Sequence, residues 1–244
     1  RYQLLIEYVG TNFRGWQIQK KGSTIQGLIQ EKLTKLLKEK IILNGSGRTD
    51  TGVHAIAQSA HFDCKNKIID LIKFLNSINH FLNEDGIAIT KIKKRSSKFH
   101  SRFSAKQRIY KYIIFNQLSI PVIEKKRGWH VRKQLDLDLI KKGAKKLIGT
   151  HDYSVFRASS CHAKSPIKTI NSIKIKSSKN KIEIEFNSQS FLQQQVRSMV
   201  GCLKYLGEKK WDLKMFEKIF KSKKRILCAP PAPPEGLFLV RVIY

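Results

Sequence analysis

Thr169-Ile170-Asn171-Ser172-Ile173-Lys174-Ile175-Lys176-Ser177-Ser178-Lys179-Asn180-Lys181-Ile182-Glu183-Ile184-Glu185-Phe186 decides the fold class. Apolar and charged residues alternate in both halves of the stretch, which is the period of a half-buried strand. A Ser/Lys/Asn turn joins the two halves. Strands joined this tightly pair antiparallel, because a parallel pair needs a crossover of about a dozen residues or more. A doubly wound parallel sheet, with strands and helices in strict alternation, is therefore excluded. The class expected is α+β, with mostly antiparallel sheets and packed helices.

The same mixture extends outward from this hairpin. On its N-terminal side, Asp136 or Asp138 can cap a helix through Leu139, Ile140, Ala144, Leu147 and Ile148, and residues 149–156 read as polar and irregular. Further back lie an extended run over 108–115 and a basic connector over 121–133. Before these come strands over 2–8, 53–62 and 86–92, and helices over 25–37 and 68–82 whose apolar residues recur at steps of three and four. Beyond the hairpin, helices are expected over 191–206 and 213–220. A stiff Ala229-Pro230-Pro231-Ala232-Pro233-Pro234 loop leads to a closing strand over 237–243. The division expected is an N-terminal α+β subdomain over 1–104 and a C-terminal one over 105–244.

The chain has 244 residues, 48 Lys and Arg against 18 Asp and Glu, and a formal charge of +30. A field of that size draws polyanions before any specific contact forms, so nucleic acid is the first partner to consider. Solvated lysines from a biased codon usage are the competing source of the charge. A membrane surface fits less well, since no basic amphipathic helix stands apart from the folded pattern. No apolar run has the length of a membrane span and no leader pattern is present, which points to the cytoplasm. Cys64, Cys161, Cys202 and Cys228 form no Cys-x-x-Cys pair, and no two histidines have ligand spacing, so no metal is expected.

Gly45-Ser46-Gly47-Arg48-Thr49-Asp50-Thr51-Gly52-Val53-His54-Ala55 is the stretch most suited to chemistry. Three glycines in eight residues allow a tight backbone and a close approach to a ligand. Phosphate-loop readings fail, because no Gly-x-x-x-x-Gly-Lys-Ser/Thr is present. Asp50-Thr51-Gly52 matches half of an aspartic-protease pair, but no second copy exists and Gly-Arg-Thr precedes it where an apolar strand belongs. A single ionised aspartate in a nucleic-acid site can act as nucleophile or base. A buried carboxylate keeps its charge only beside a cation, and Arg48 or Arg197 can supply one. A base inside structured RNA must also be turned out and held, a task that suits Tyr110.

These residues resemble the tRNA pseudouridine synthase A family. The likeness rests on 47–55 together with 13–19, 99–105 with Arg108 and Tyr110, 149–156, 191–201 and 232–237, in order along the whole chain. It implies two similar halves around a basic cleft, and a cofactor-independent isomerase of uridine at positions 38, 39 and/or 40 of the tRNA anticodon stem-loop. It further implies a homodimer that binds tRNA across both subunits. By the same likeness Asp50 is the nucleophile, Arg197 its partner, Arg48 a second arginine of the site and Tyr110 the residue packed on the target base. Arg14, Trp16, His54, Phe99, His100, Arg102 and Arg108 are expected to contact RNA. Neither a metal nor a nucleotide cofactor is implied. Thr51 replaces the family's usual alanine, and Gln193 and Gln194 stand where an aromatic residue or histidine is common, so altered RNA contact is expected there. The alternative reading is a tRNA-binding or RNA-chaperone protein without turnover.

Overall fold

A computed structural model describes all 244 residues. The first elements are β1 (Tyr2–Tyr8), α1 (Ile25–Leu37), β2 (Asn44–Gly45), β3 (His54–Phe62), α2 (Leu71–Leu82) and β4 (Ile87–Lys94). Then come β5 (Gln107–Asn116), β6 (Trp129–Val131), α3 (Leu137–Lys146), β7 (Gly149–Asp152), β8 (Ile167–Ser178) and β9 (Lys181–Ser188). The chain ends with α4 (Gln195–Gly207), α5 (Leu213–Ser222) and β10 (Leu237–Ile243). It divides into two compact units, one of residues 1–106 with 238–244 and one of residues 107–237. The class is α+β with mostly antiparallel strands, as the hairpin at 169–186 requires.

In the first unit, β1 lies antiparallel between β3 and β4, and β10 pairs parallel with β3 through Phe238 opposite His54 and Leu239 opposite Ala55. That pairing carries residues 238–244 back to the N-terminal part of the chain. Tyr2, Leu4, Ile6 and Tyr8 alternate along β1 and are all buried. Helix α1 buries Ile25, Ile29 and Leu33 at steps of four, with Thr24 Oγ1 accepting from Gly27 N at 3.2 Å as its cap. Helix α2 packs on β4 and α1 and buries Phe74, Ile78 and Leu82. It starts at Leu71, three residues later than the apolar spacing suggests. Asp70 explains the shift, because its carboxylate accepts from Ile72 N and Lys73 N, both at 2.9 Å, and fixes the first turn there.

In the second unit the strand order is β5-β9-β8-β7, every pair antiparallel, with β6 parallel to β5. The β8–β9 hairpin turns through Lys179, at φ 51, and Asn180, leaving Ser178 opposite Lys181. Helices α3, α4 and α5 pack on one another. Three local expectations change. Gly149–Asp152, read as irregular, is an edge strand whose polar sequence hides it, and Thr150 and Thr169 share a hydroxyl hydrogen bond of 2.7 Å across the pair. Trp129–Val131, inside the expected connector, is a three-residue strand too short to show a period. Helix α4 starts at Gln195 instead of 191, because Gln194 is left-handed at φ 61 and cannot continue a helix.

No helix is long and apolar enough to cross a membrane. No three His, Cys, Asp or Glu side chains are grouped to hold a metal ion.

Candidate active site

In the first unit the loop from β2 to β3 carries Arg48 and Asp50, and the 10–16 segment braces it. Gly15 has φ +84, and a Cβ added to it would stand 2.6 Å from the Thr49 carbonyl oxygen and 3.1 Å from the Asp50 carbonyl carbon. Only glycine allows that approach. The next residue, Trp16, donates its backbone N–H to Thr49 O at 3.1 Å, while the Tyr8 and Thr49 hydroxyls lie 2.8 Å apart. Thr49 is thus held by backbone and side chain together. Asp50 follows it and begins a turn, its carbonyl accepting from Val53 N at 3.1 Å with Gly52 at φ 79. Asp50 is half-buried, and exposed Arg48 donates from Nε to Gln17 Oε1 at 3.2 Å.

Trp16 and His54, expected at the RNA, are both buried, each 1% exposed. The Trp16 indole packs against Gly45, and the His54 ring stacks on Phe238 at 4.8 Å while its Nδ1 accepts from Gly10 N at 3.1 Å. Both are packed inside the unit. Arg14 is exposed at the edge of the same segment. Phe99 packs on Tyr244 at 4.8 Å with the Arg95 guanidinium 5.0 Å from its ring centre. His100 meets His61 edge-on at 4.6 Å, and Arg102 is exposed.

Sequence reading missed Gln58. This side chain is fully buried on β3 and spends its amide on the loop: Oε1 accepts from Ser46 Oγ at 2.6 Å and from Ser59 N at 3.1 Å, and Nε2 donates to Gly47 O at 3.0 Å. A polar residue in the middle of Ala55-Ile56-Ala57-Gln58-Ser59-Ala60 was the available signal. Gln58→Ala removes its hydrogen bonds to Ser46 Oγ, Ser59 N and Gly47 O, and about 0.5–1.5 kcal/mol of stability should be lost per hydrogen bond. A denaturant midpoint equal to that of the unaltered chain would contradict this.

In the second unit Tyr110 sits on β5 opposite Phe186 and meets Phe191 edge-on at 5.3 Å. Arg197 lies in the first turn of α4. Its Nε donates to Ala232 O at 2.8 Å, and its own carbonyl accepts from Ala232 N at 2.9 Å. The proline-rich loop is tied down a second time where the Tyr112 hydroxyl donates to Pro233 O at 2.7 Å. Burial pushes that phenol well above its usual range, so it remains a neutral donor. Arg108 donates to the Gln189 carbonyl. Of the two unusual glutamines, Gln193 is exposed and offers its carbonyl to Ala158 N at 3.1 Å, and Gln194 holds the left-handed turn before α4. The support from Ala232 was not legible, since nothing in an alanine between prolines signals a contact with an arginine 35 residues away.

Comparison with known proteins gives the family. A family model described as tRNA pseudouridine synthase matches residues 4–104 and 144–244. The tRNA pseudouridine synthase A of Pelagibacter ubique (strain HTCC1062) is 71% identical over 244 residues, covering 100% of this chain and 99% of the relative. Proteins of the same name from Parvibaculum lavamentivorans and Neorickettsia sennetsu are 38% and 39% identical, again over 100% of this chain and 99% and 100% of theirs. The Asp50 loop, Tyr110 and Arg197 occupy the reach of these full-length matches, Tyr110 alone lying in the interval that the family model leaves out. The chain belongs to the tRNA pseudouridine synthase family and is an isomerase.

Proposed function

We propose that the chain converts uridine to pseudouridine at positions 38, 39 and/or 40 of the tRNA anticodon stem-loop, with Asp50 as nucleophile. The observation that carries this is the braced turn at Asp50: a half-buried carboxylate at the head of a glycine turn, with the backbone before it fixed by Gly15, Trp16 and Tyr8. Such fixing is what a nucleophile needs, because rate depends on holding reacting atoms in line.

Substrate and product are isomers, so the balance needs no oxidant, reductant or group donor. The bond from ribose C1′ to uracil N1 breaks, a bond from C1′ to C5 forms, the C5 proton leaves and N1 gains one. Asp50 contributes an oxygen lone pair to an electrophilic carbon, either C1′ of the ribose or C6 of the base, and recovers it when the new carbon–carbon bond is complete. Arg197, set by Ala232, and Arg48 are the arginines assigned to the reaction. Tyr110 packs on the turned-out uracil, its own ring positioned by Phe191. Turning the base out costs a few kcal/mol, which contact with an aromatic face offsets. The +30 charge supplies the attraction for tRNA. In this reading the enzyme works as a cytoplasmic homodimer without metal or nucleotide.

The test is direct. Purified protein is incubated with an unmodified tRNA in a chelating buffer without nucleotide, and pseudouridine is mapped along the RNA. Its appearance at 38, 39 or 40 is expected. Tight binding with no pseudouridine anywhere favours the RNA-chaperone alternative, and pseudouridine only outside the anticodon arm overturns the choice of positions.

A further inference from the structure

We infer that Phe103 is a stacking platform for an unpaired nucleobase of the RNA substrate, a contact separate from the one proposed for Tyr110. Phe103 is 77% exposed, while its neighbours in the same turn are held closely. The turn is closed by Ser104 N donating to His100 O at 2.9 Å and by Ser104 Oγ accepting from His100 N at 3.0 Å. The Phe103 ring lies on His100 at 4.4 Å between centres, and the Arg102 guanidinium is 5.7 Å from its centre. His100 is fixed in turn, since its Nδ1 accepts from Arg102 N at 3.1 Å and its ring meets His61. His61 Nδ1 accepts from Ser101 N at 3.2 Å, and Ser101 Oγ donates at 2.6 Å to the carbonyl of Asn44 in β2, the strand that leads into the Asp50 loop. A row of rings therefore runs from a buried histidine to an exposed phenylalanine, anchored to the strand that leads into the loop of the proposed nucleophile.

The exposed ring presents an aromatic face at the surface, and the charge around it selects which partner suits it. Arg1 donates to the Ser97 and Phe99 carbonyls, Arg95 covers Phe99, and Lys98, Arg102 and Lys106 are exposed in the same segment. A second copy of a +30 chain would bring like charge to this patch. A polyanion with flat bases brings the opposite charge and an apolar face, and stacking on an aromatic tolerates any base. Burial, then Arg1 and His100, pushes His61 down to about 4, and burial, then Arg1 and Arg102, pushes His100 down. Both rings are thus neutral at pH 7 and add no charge repulsion to the stack.

The inference rests on tRNA as substrate, and its test is built to fail separately from the proposed chemistry. Binding of an unmodified anticodon stem-loop RNA is measured for the unaltered chain and for Phe103→Ala, Phe103→Leu and Phe103→Trp across a salt series, with pseudouridine formation by the unaltered chain followed in parallel. Ala and Leu should weaken binding roughly 5- to 100-fold and Trp should keep it, with its fluorescence quenched on binding. The slope of affinity against salt should stay the same in all four, because no phosphate contact is removed. Unchanged affinity of Phe103→Ala overturns the platform, even where pseudouridine is made. Retained affinity for RNA in Leu, together with loss of a dimer in Phe103→Ala by sedimentation, overturns it in favour of a protein contact. Absence of pseudouridine from the unaltered chain counts against the reading of Asp50 and leaves the binding comparison to stand on its own.

Discussion

Asp50→Asn is expected to bind tRNA as well as the unaltered chain does and to form no measurable pseudouridine. The substitution keeps size and shape and leaves the braced backbone untouched, because Thr49 O, Thr49 Oγ1 and Asp50 O make the loop's contacts with Trp16, Tyr8 and Val53. It removes the lone pair that has to attack carbon, since an amide oxygen is a poor nucleophile. Deleting a nucleophile from other enzymes lowers kcat by factors on the order of 10^4 to 10^6. Binding should hold, as it depends on many cations across a chain of net charge +30, and the loss of one negative charge can only favour a polyanion. Asp50→Ala serves as a control against slow conversion of asparagine back to aspartate. The measurements are the affinity for tRNA and the single-turnover yield of pseudouridine. Retained turnover in both variants would remove Asp50 from the chemistry while leaving family membership intact.

What the sequence made legible follows from what each signal depends on. The hairpin at 169–186 could be read because a strand period of two and a turn are local features, and both survive in β8 and β9. Apolar spacing gave the helices but not their first residues. Asp70 fixes α2 through hydrogen bonds to Ile72 N and Lys73 N, and Gln194 delays α4 by its left-handed backbone, neither of which changes the apolar pattern. β7 is polar along its length and gains its place only by pairing with β8. The same split applies to the site. Asp50 stood out through the glycines around it, whereas its supports are tertiary: Tyr8 and Thr49 are 41 residues apart, and Gln58 reaches Ser46 across 12. Trp16 and His54 show a further limit, since a sequence gives the residue type but not its burial, and both rings are 1% exposed.

Gly15→Ala is expected to be strongly damaging although it leaves every proposed chemical group in place. Two costs add at this position. A residue with a Cβ at φ +84 is disfavoured by about 1–2 kcal/mol. The added methyl also meets the Thr49 carbonyl oxygen at 2.6 Å, where a well-packed site resists insertion by about 1–3 kcal/mol. The carbonyl cannot simply move aside, because it accepts from Trp16 N, and Trp16 is packed on Gly45 at the other end of the same loop. Strain is therefore passed along the backbone to Asp50, whose carbonyl carbon is the next atom in reach at 3.1 Å. A displacement of about 1 Å in a reacting group lowers rate on the order of 100-fold. The variant should accordingly melt earlier, bind tRNA normally once folded, and lose kcat with little change in KM. That combination separates position from chemistry, since Asp50, Arg48, Tyr110 and Arg197 all remain. A Gly15→Ala protein with unaltered kcat would mean that the loop absorbs the methyl without moving its carboxylate, and the bracing attributed to this glycine would be wrong.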